Sequence, residues 1–224
     1  GAKNTLAVGA AAGCVGIIVG VVTLTGVGFS LGFVVIQTAG DISNFFSNIW
    51  PISFFSFEDL RLFFSLVLIA ISCIIMGAGI PTTATYIILV AVAAPALAQL
   101  GIEPLVAHFF VFYYGVLADI TPPVALAAYA ASGIAKSNPF KTGNTAFRLG
   151  IAKALVPFVF VYSPSLLLIT GEFQTNQLII TLIGTLIGIA LIGIAFSGYW
   201  FRPLKKYEQI IIGIGSLFFV APGI

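Results

Sequence analysis

Two short stretches that interrupt long apolar runs decide the fold: GAGIPTT at residues 77–83 and DITPP at residues 119–123. The first divides the apolar segment 60–100, and the second divides the apolar segment 104–135. Proline lacks a backbone N–H and clashes with the preceding helical turn, so an α-helix must break at both places. The sequence therefore predicts two interrupted helical segments that follow each other along the chain.

The composition around these stretches indicates a membrane protein. Of the 224 residues, 60% are hydrophobic and 7% are charged, whereas soluble domains average about 25% charged residues. The mean hydropathy is +1.16, and several apolar stretches have the length of about 18 to 25 residues that a membrane-spanning helix needs. These features exclude a soluble domain and predict an all-α polytopic membrane protein.

The few charged residues predict the orientation in the membrane. With Lys3 on the cytoplasmic side and residues 27–59 lying in the outer headgroup region, the basic residues collect on one side, as the positive-inside rule requires. The residues on that side are Lys3, Lys136, Lys141, Arg148, Lys153, Arg202, Lys205 and Lys206. Arg61 lies outside with Asp41, Glu58, Asp59, Glu103 and Glu172. The charged residues lie on the same sides of the membrane whether residues 60–100 form a re-entrant hairpin or two full crossings.

The two breaks are the predicted functional site. In hydrocarbon, non-helical backbone persists only where it is buried or lines a cavity, so two breaks are expected to face each other around a ligand. Free carbonyls and threonine hydroxyls are hard oxygen ligands for a cation. Helix N-termini near residues 81 and 123 suit an anionic group. Simple helix kinks or turns outside the membrane are the structural alternative to a site.

Together these features predict a sodium site that borders an organic-anion site. The predicted contacts are Gly77, Gly79, Pro81, Thr82, Thr83, Thr85, Asp119, Thr121, Pro122 and Pro123. Asp119 is the one acid within an apolar segment, which favours a functional role. It is equally interpreted as the N-cap of the helix that opens at the double proline, and the two roles are compatible. His108 is interpreted as a packing or interfacial residue, because no second histidine or cysteine accompanies it.

Two motifs of common enzymes are absent from the sequence. It contains no HExxH and no phosphate-binding GxxxxGK[ST], and the single histidine, His108, is far in sequence from the GxSxG string at residues 28–32, so we expect no catalysis, no ATP hydrolysis, and neither a cofactor nor a metal other than sodium. The basic cluster at residues 202–206 is interpreted as a cytoplasmic stop and not as a nucleic-acid surface. A channel without sodium coupling, in which the same breaks form a filter, is the alternative function.

The strings MGAGIPTTATY at residues 76–86 and ADITPPVALAAY at residues 118–129 resemble the large membrane subunit of tripartite ATP-independent periplasmic (TRAP) transporters. Shorter strings at residues 137–139, 141–143, 156–158 and 162–164 fit the same pattern. The likeness covers about residues 3–170. Within the family, the likeness is to the fused permeases of the TAXI subgroup, in which the small and large membrane subunits form one chain.

This resemblance implies one inverted-repeat half, the C-terminal repeat, of an elevator-type fold. The parts it implies are a scaffold helix at residues 1–26, an interfacial arm at 27–59, a transport element at 60–135, a second scaffold helix at 142–170 and additional C-terminal transmembrane helices at 177–224. The transport element comprises a re-entrant hairpin at 60–100 and a discontinuous helix at 104–135. The other repeat, which completes the substrate cavity, lies outside these residues, so this segment alone is not expected to transport.

The resemblance also implies what is transported and with which partners. The coupling ion is sodium, and the substrate is an organic acid such as a dicarboxylate or glutamate. A periplasmic substrate-binding protein delivers it, and a small membrane subunit or its fused equivalent completes the permease. The expected location is the cytoplasmic (inner) membrane of a bacterium or archaeon, where the protein crosses the bilayer several times.

Overall fold

Helices make up almost all of the described chain. The computed structural model describes residues 2–49, 56–80, 82–168 and 175–219, and of residues 2–12, 15, 48 and 49 it describes the backbone alone. The chain divides into two compact units, Gly1–Gly115 and Val116–Ile224. Pro81 and Glu172, two of the residues named above, lie outside the described residues.

The described part of the first unit contains five helices, of which the last runs into the second unit. They are α1 (Ala2–Thr25), α2 (Val27–Ile49), α3 (Phe57–Gly77), α4 (Thr82–Gln99) and α5 (Pro104–Ala118). The described part of the second unit adds α6 (Leu126–Ala135), α7 (Pro139–Gly150), α8 (Val156–Tyr162), α9 (Thr175–Ser197) and α10 (Lys206–Phe218). It also has 3₁₀ segments at Ile151–Leu155 and Pro164–Leu167, and the antiparallel two-residue strands β1 (Tyr199–Trp200) and β2 (Arg202–Pro203).

Several helices have the length and composition of membrane spans. Within the described residues they are Phe57–Gly77, Thr82–Gln99, Pro139–Tyr162 and Thr175–Ser197, with a fifth if the bent pair α1–α2 counts as one span. Large apolar side chains also point outward, among them Leu24 at 89% exposure and Ile134 at 88%. A water-facing surface rarely carries so much contiguous apolar area. The described structure thus fits the predicted polytopic helical membrane protein.

Residues 27–59, predicted as an interfacial arm, fold mostly into helix. The axis turns by 65° at Gly26, which has a positive φ, and α2 then continues through Gly32, Gly40 and Asp41. Helix α3 begins at Phe57 because Ser56 and Asp59 form a capping box, so its start precedes the predicted residue 60. The glycines and the acid of α2 thus do not break the helix, because its face packs against α3 and α4.

Close packing between α2 and α4 depends on two glycines. Because Pro95 has no N–H, the carbonyl of Ala91 loses its usual partner within α4. The bare backbone of Gly28 packs over this carbonyl, and a Cβ at Gly28 would lie 2.7 Å from its oxygen. Gly32 approaches Ala96 in the same way, with a Cβ distance of 2.9 Å. A side chain at either position would push the two helices apart.

The apolar segment 104–135 is interrupted, as its double proline predicts. Helix α5 ends at Ala118, and α6 begins only at Leu126, so the gap extends two residues beyond the DITPP stretch. Ala125 has a φ of +36° and stands at the N-cap of α6 without a side-chain capping hydrogen bond. The predicted start of this helix near Pro123 is therefore three residues too early.

The second unit also contains an interruption that the sequence analysis does not predict. The span predicted at residues 142–170 begins at Pro139, where Asn138 caps α7, and changes to 3₁₀ helix at Ile151–Leu155. Lys153 lies inside the candidate span Pro139–Tyr162, as it does in the predicted span at residues 142–170. Arg148 stabilises the neighbouring α9, since its guanidinium donates hydrogen bonds of 2.8 and 3.2 Å to the carbonyl of Phe196.

The C-terminal residues form α9, the short strand pair and α10, which packs back against α9. Arg202 donates hydrogen bonds of 2.6 and 3.2 Å to the carboxylate of Glu208, which also accepts one of 2.8 Å from the N–H of Lys205. These hydrogen bonds, that of Arg202 foremost, lower the pKa of the Glu208 carboxyl. The Arg202–Glu208 ion pair thus links strand β2 to the first turn of α10.

Replacing Gly28 with alanine is expected to destabilise the protein, because the new Cβ meets a backbone oxygen that cannot rotate away. Overpacking of this kind costs about 1–3 kcal/mol. Gly40→Ala is the matched control, since a Cβ at this position of the same helix meets nothing within 4 Å. It should raise stability by about 0.5–1 kcal/mol through better helix propensity. Thermal unfolding in detergent measures both; shifts of equal sign and size would contradict the packing.

Candidate functional site

The first break is the tip between α3 and α4. Gly77 is buried at the end of α3, and the chain turns through Gly79, whose φ is +84°. Thr82 and Thr83 open α4 and are exposed. Among the described residues, the carbonyls of Ala78 and Gly79 accept no hydrogen bond. The tip therefore offers two free carbonyl oxygens and two exposed hydroxyls, while its predicted contact Pro81 lies outside the described residues.

Thr85 holds the tip together. It is 1% exposed, and its hydroxyl donates a hydrogen bond of 3.0 Å to the carbonyl of Ile80, which lies outside helix α4. Its methyl group packs against α5, where a Cβ on Gly115 would lie 3.2 Å from it. In this conformation the Thr85 hydroxyl faces the backbone of the tip and has no access to solvent.

A polar pair joins the same helices through Tyr86, the residue after Thr85. The Tyr86 hydroxyl and His108 Nδ1 are 2.7 Å apart and partly buried, and this hydrogen bond connects α4 to α5. His108 therefore acts as a packing residue with a polar partner, in line with its interpretation from the sequence. Tyr86 has no such role in the sequence analysis, because residues 22 positions apart show no pattern that pairs them.

In the second break, residues 119–125, every other backbone carbonyl accepts a hydrogen bond. The carbonyl of Asp119 accepts the N–H of Ala127 at 3.1 Å, that of Thr121 accepts the N–H of Ala125 at 3.1 Å, and that of Pro123 accepts the Tyr129 hydroxyl at 2.6 Å. The carbonyls of Ile120, Pro122 and Val124 accept no hydrogen bond within the described residues. The peptide bond between Pro122 and Pro123 is cis. The break thus presents three free carbonyl oxygens.

Two predicted side-chain contacts lie at the start of this break. The Thr121 hydroxyl donates a hydrogen bond of 2.7 Å to the carbonyl of Leu117, which leaves the hydroxyl oxygen able to coordinate a cation. The Asp119 side chain is half-buried and does not cap α6. The interpretation of Asp119 as a side-chain N-cap is therefore wrong: its backbone carbonyl, and not its carboxylate, meets the first turn of α6.

The site residues divide between the two units: the tip belongs to the first unit and the break to the second. The structure adds Lys153 to the break. Its ammonium interacts electrostatically with the Asp119 carboxylate. Lys153 interrupts an apolar run, which is the same signal that singles out Asp119. The sequence analysis instead groups it with the cytoplasmic basic residues.

Other features give no second candidate for ion binding. A cavity of about 410 Å³ lies at the elbow between α1 and α2, lined with apolar atoms of Gly26, Phe29 and Pro95 among others. Within the described ranges, no group of three or more His, Cys, Asp and Glu side chains could hold a metal ion. Among the described residues, the two breaks therefore remain the candidate site.

Comparison with known protein families decides the class of protein. The family model described as "Tripartite ATP-independent periplasmic transporter, DctM component" matches residues 1–175. The chain belongs to this family. The TRAP large membrane subunit predicted from the sequence is thereby confirmed. The matched residues contain both breaks, and α10 lies outside them. No curated protein and no solved structure matches the chain significantly.

Membership of the DctM family sets the general function. The chain is a multi-pass membrane component of a TRAP transporter permease and belongs to a transporter family, not to a family of enzymes. The family implies two kinds of partner, a periplasmic binding protein and a small membrane subunit. These assignments agree with the apolar helices of the described structure.

Replacing Thr85 with valine is expected to destabilise the hairpin tip of this DctM-family protein. Valine keeps the methyl group that packs against Gly115 but removes the donor to Ile80. A buried carbonyl left without its partner costs about 1–3 kcal/mol. Thr145→Val is the control, because the Thr145 hydroxyl bonds to Lys141 at an exposed helix surface. Thermal unfolding in detergent compares them; an unchanged melting temperature for Thr85→Val would contradict the role given to its hydroxyl.

Proposed function

We propose that this chain is the C-terminal repeat of the large membrane part of a TAXI-type fused permease. The transporter couples the import of an organic acid to sodium and receives the acid from a periplasmic binding protein. Its location is the cytoplasmic membrane of a bacterium or archaeon. The observation that carries this proposal is the set of free carbonyls at two helix breaks, in a chain of the TRAP transporter family.

Sodium is the ion that suits these ligands. It is a hard cation that prefers oxygen, and unwound backbone at helix breaks supplies it in secondary transporters. The break at residues 119–125 has the free carbonyls of Ile120, Pro122 and Val124, next to the carboxylate of Asp119 and the hydroxyl of Thr121. The tip, in the first unit, has free carbonyls of its own at Ala78 and Gly79. The Asp119 carboxylate adds a negative charge to the neutral oxygens of the second break, and both kinds of group attract a cation.

The start of α4 is suited to the organic acid. The first N–H groups of a helix have no partner within it and carry a partial positive charge, which favours a carboxylate. Thr82 and Thr83 lie at this helix end and are exposed, so their hydroxyls can donate hydrogen bonds to the same group. The tip therefore combines cation ligands on its carbonyl side with anion ligands at the helix start.

An elevator-type movement accords with the packing of the first unit. Helices α3 and α4 pack together, and the Tyr86–His108 hydrogen bond and the Thr85–Gly115 contact join α4 to α5. These contacts join the hairpin to the first half of the discontinuous helix, and α2 packs against both α3 and α4 as part of the same group. Such a group can move as a rigid body and carry its ligands with it.

Variants of the two side chains at the break are expected to weaken sodium coupling. In proteoliposomes with the complete permease and its binding protein, Asp119→Asn and Thr121→Val should each raise the sodium concentration for half-maximal uptake about tenfold or more, which corresponds to about 1.4 kcal/mol of lost binding. Labelled succinate and glutamate serve as test substrates.

Asp41→Asn and Thr38→Val are the matched controls. Asp41 is an exposed acid on α2, and the Thr38 hydroxyl donates to the carbonyl of Val34 as Thr121 does to Leu117. Both controls should keep the wild-type sodium dependence. An unchanged sodium dependence in Asp119→Asn and Thr121→Val would refute the assignment of the site. Flux that needs neither a sodium gradient nor the binding protein would instead indicate the channel alternative.

A further inference from the structure

The break at residues 119–125 meets a second irregular segment within the same unit. The side chain of Ile120 contacts Gly150, directly before the 3₁₀ segment Ile151–Leu155, and leaves no space for a Cβ there. Gly150 is the N-cap of this 3₁₀ segment, and Lys153 follows it by three residues, as Ile120 follows Asp119 by one. The loop that carries Asp119 and the 3₁₀ turn that carries Lys153 are thus held against each other.

Asp119 and Lys153 carry opposite charges that are not neutralised by close contact. Both side chains are half-buried, and an electrostatic interaction connects them. Neither charged group has a hydrogen-bond partner or a close ion pair among the described residues. Arg148, on the preceding helix, is engaged with the carbonyl of Phe196. Lys153 is therefore the basic group that acts on the Asp119 carboxylate.

A lone carboxylate at membrane depth is unfavourable, and a nearby cation offsets its charge. A sodium ion bound at the same carboxylate would meet repulsion from the ammonium group, because both cations act on one negative charge.

We propose that Lys153 is a positioning residue that serves as the built-in counter-charge of Asp119 and competes with sodium for it. This inference rests on the proposed sodium site at the break. When the site is empty, Lys153 compensates the carboxylate; when sodium binds, the ion takes over that role. Lys153 thereby lowers the affinity for sodium and keeps its release possible.

The test measures sodium binding without a substrate. The complete permease is purified in detergent, and its melting temperature is followed as sodium chloride replaces choline chloride at constant ionic strength. Lys153→Met should lower the sodium concentration for half-maximal stabilisation about tenfold, because the competing charge is gone. Lys153→Arg keeps the charge and should stay within about twofold of the wild type, as should Lys141→Met, which removes an exposed charge on α7.

Two further variants keep the test decisive. If Lys153→Met does not fold, Lys153→Gln removes the charge but keeps a polar group, and the same tenfold decrease is expected. In the double variant, Asp119→Asn should abolish the effect of Lys153→Met, because the carboxylate for which Lys153 and sodium compete is absent. A half-maximal concentration that is unchanged or higher in folded Lys153→Met or Lys153→Gln overturns the competition while the sodium site stands. A wild-type permease that sodium does not stabilise above choline refutes the proposed sodium site and this inference with it.

Discussion

Every backbone polar group at membrane depth needs a partner within the protein, and this requirement shapes both helix breaks. An unpaired N–H or C=O in hydrocarbon costs several kcal/mol, so a break survives only if local groups take over most of its hydrogen bonds. At the tip, the Thr85 hydroxyl satisfies the carbonyl of Ile80. At the second break, Tyr129 and the N–H groups of Ala125 and Ala127 satisfy alternate carbonyls. The carbonyls left over are those available to an ion.

The same requirement explains the contact between α2 and α4. Pro95 removes one donor inside α4, and Gly28 of α2 covers the carbonyl that this proline leaves without its partner. The packing of the first unit and the chemistry of its tip thus follow one rule. Where a helix loses a hydrogen bond, another element either covers the free group or leaves it open to a ligand.

The positions of both interruptions could be predicted, because glycine and proline act on the backbone locally. Their extent could not: α6 starts at Leu126 instead of near Pro123, since the loop closes through the Tyr129 hydroxyl and the N–H of Ala127. The continuous helix over Val27–Ile49 could not be predicted from the sequence either. Its glycines indicate a broken segment, but packing against α3 and α4 outweighs their low helix propensity.

For the site, the amino-acid sequence by itself determined the membrane class, the transporter family and the two breaks with their Thr, Pro and Asp residues. These are properties of composition and local backbone chemistry. Only the tertiary structure decided which oxygens are free, that Thr85 faces the backbone, that Tyr86 pairs with His108, and that Lys153 acts on Asp119. The free oxygens and the Thr85 hydrogen bond depend on the path of the loop, and the last two pairs join residues 22 and 34 positions apart, which no local pattern encodes.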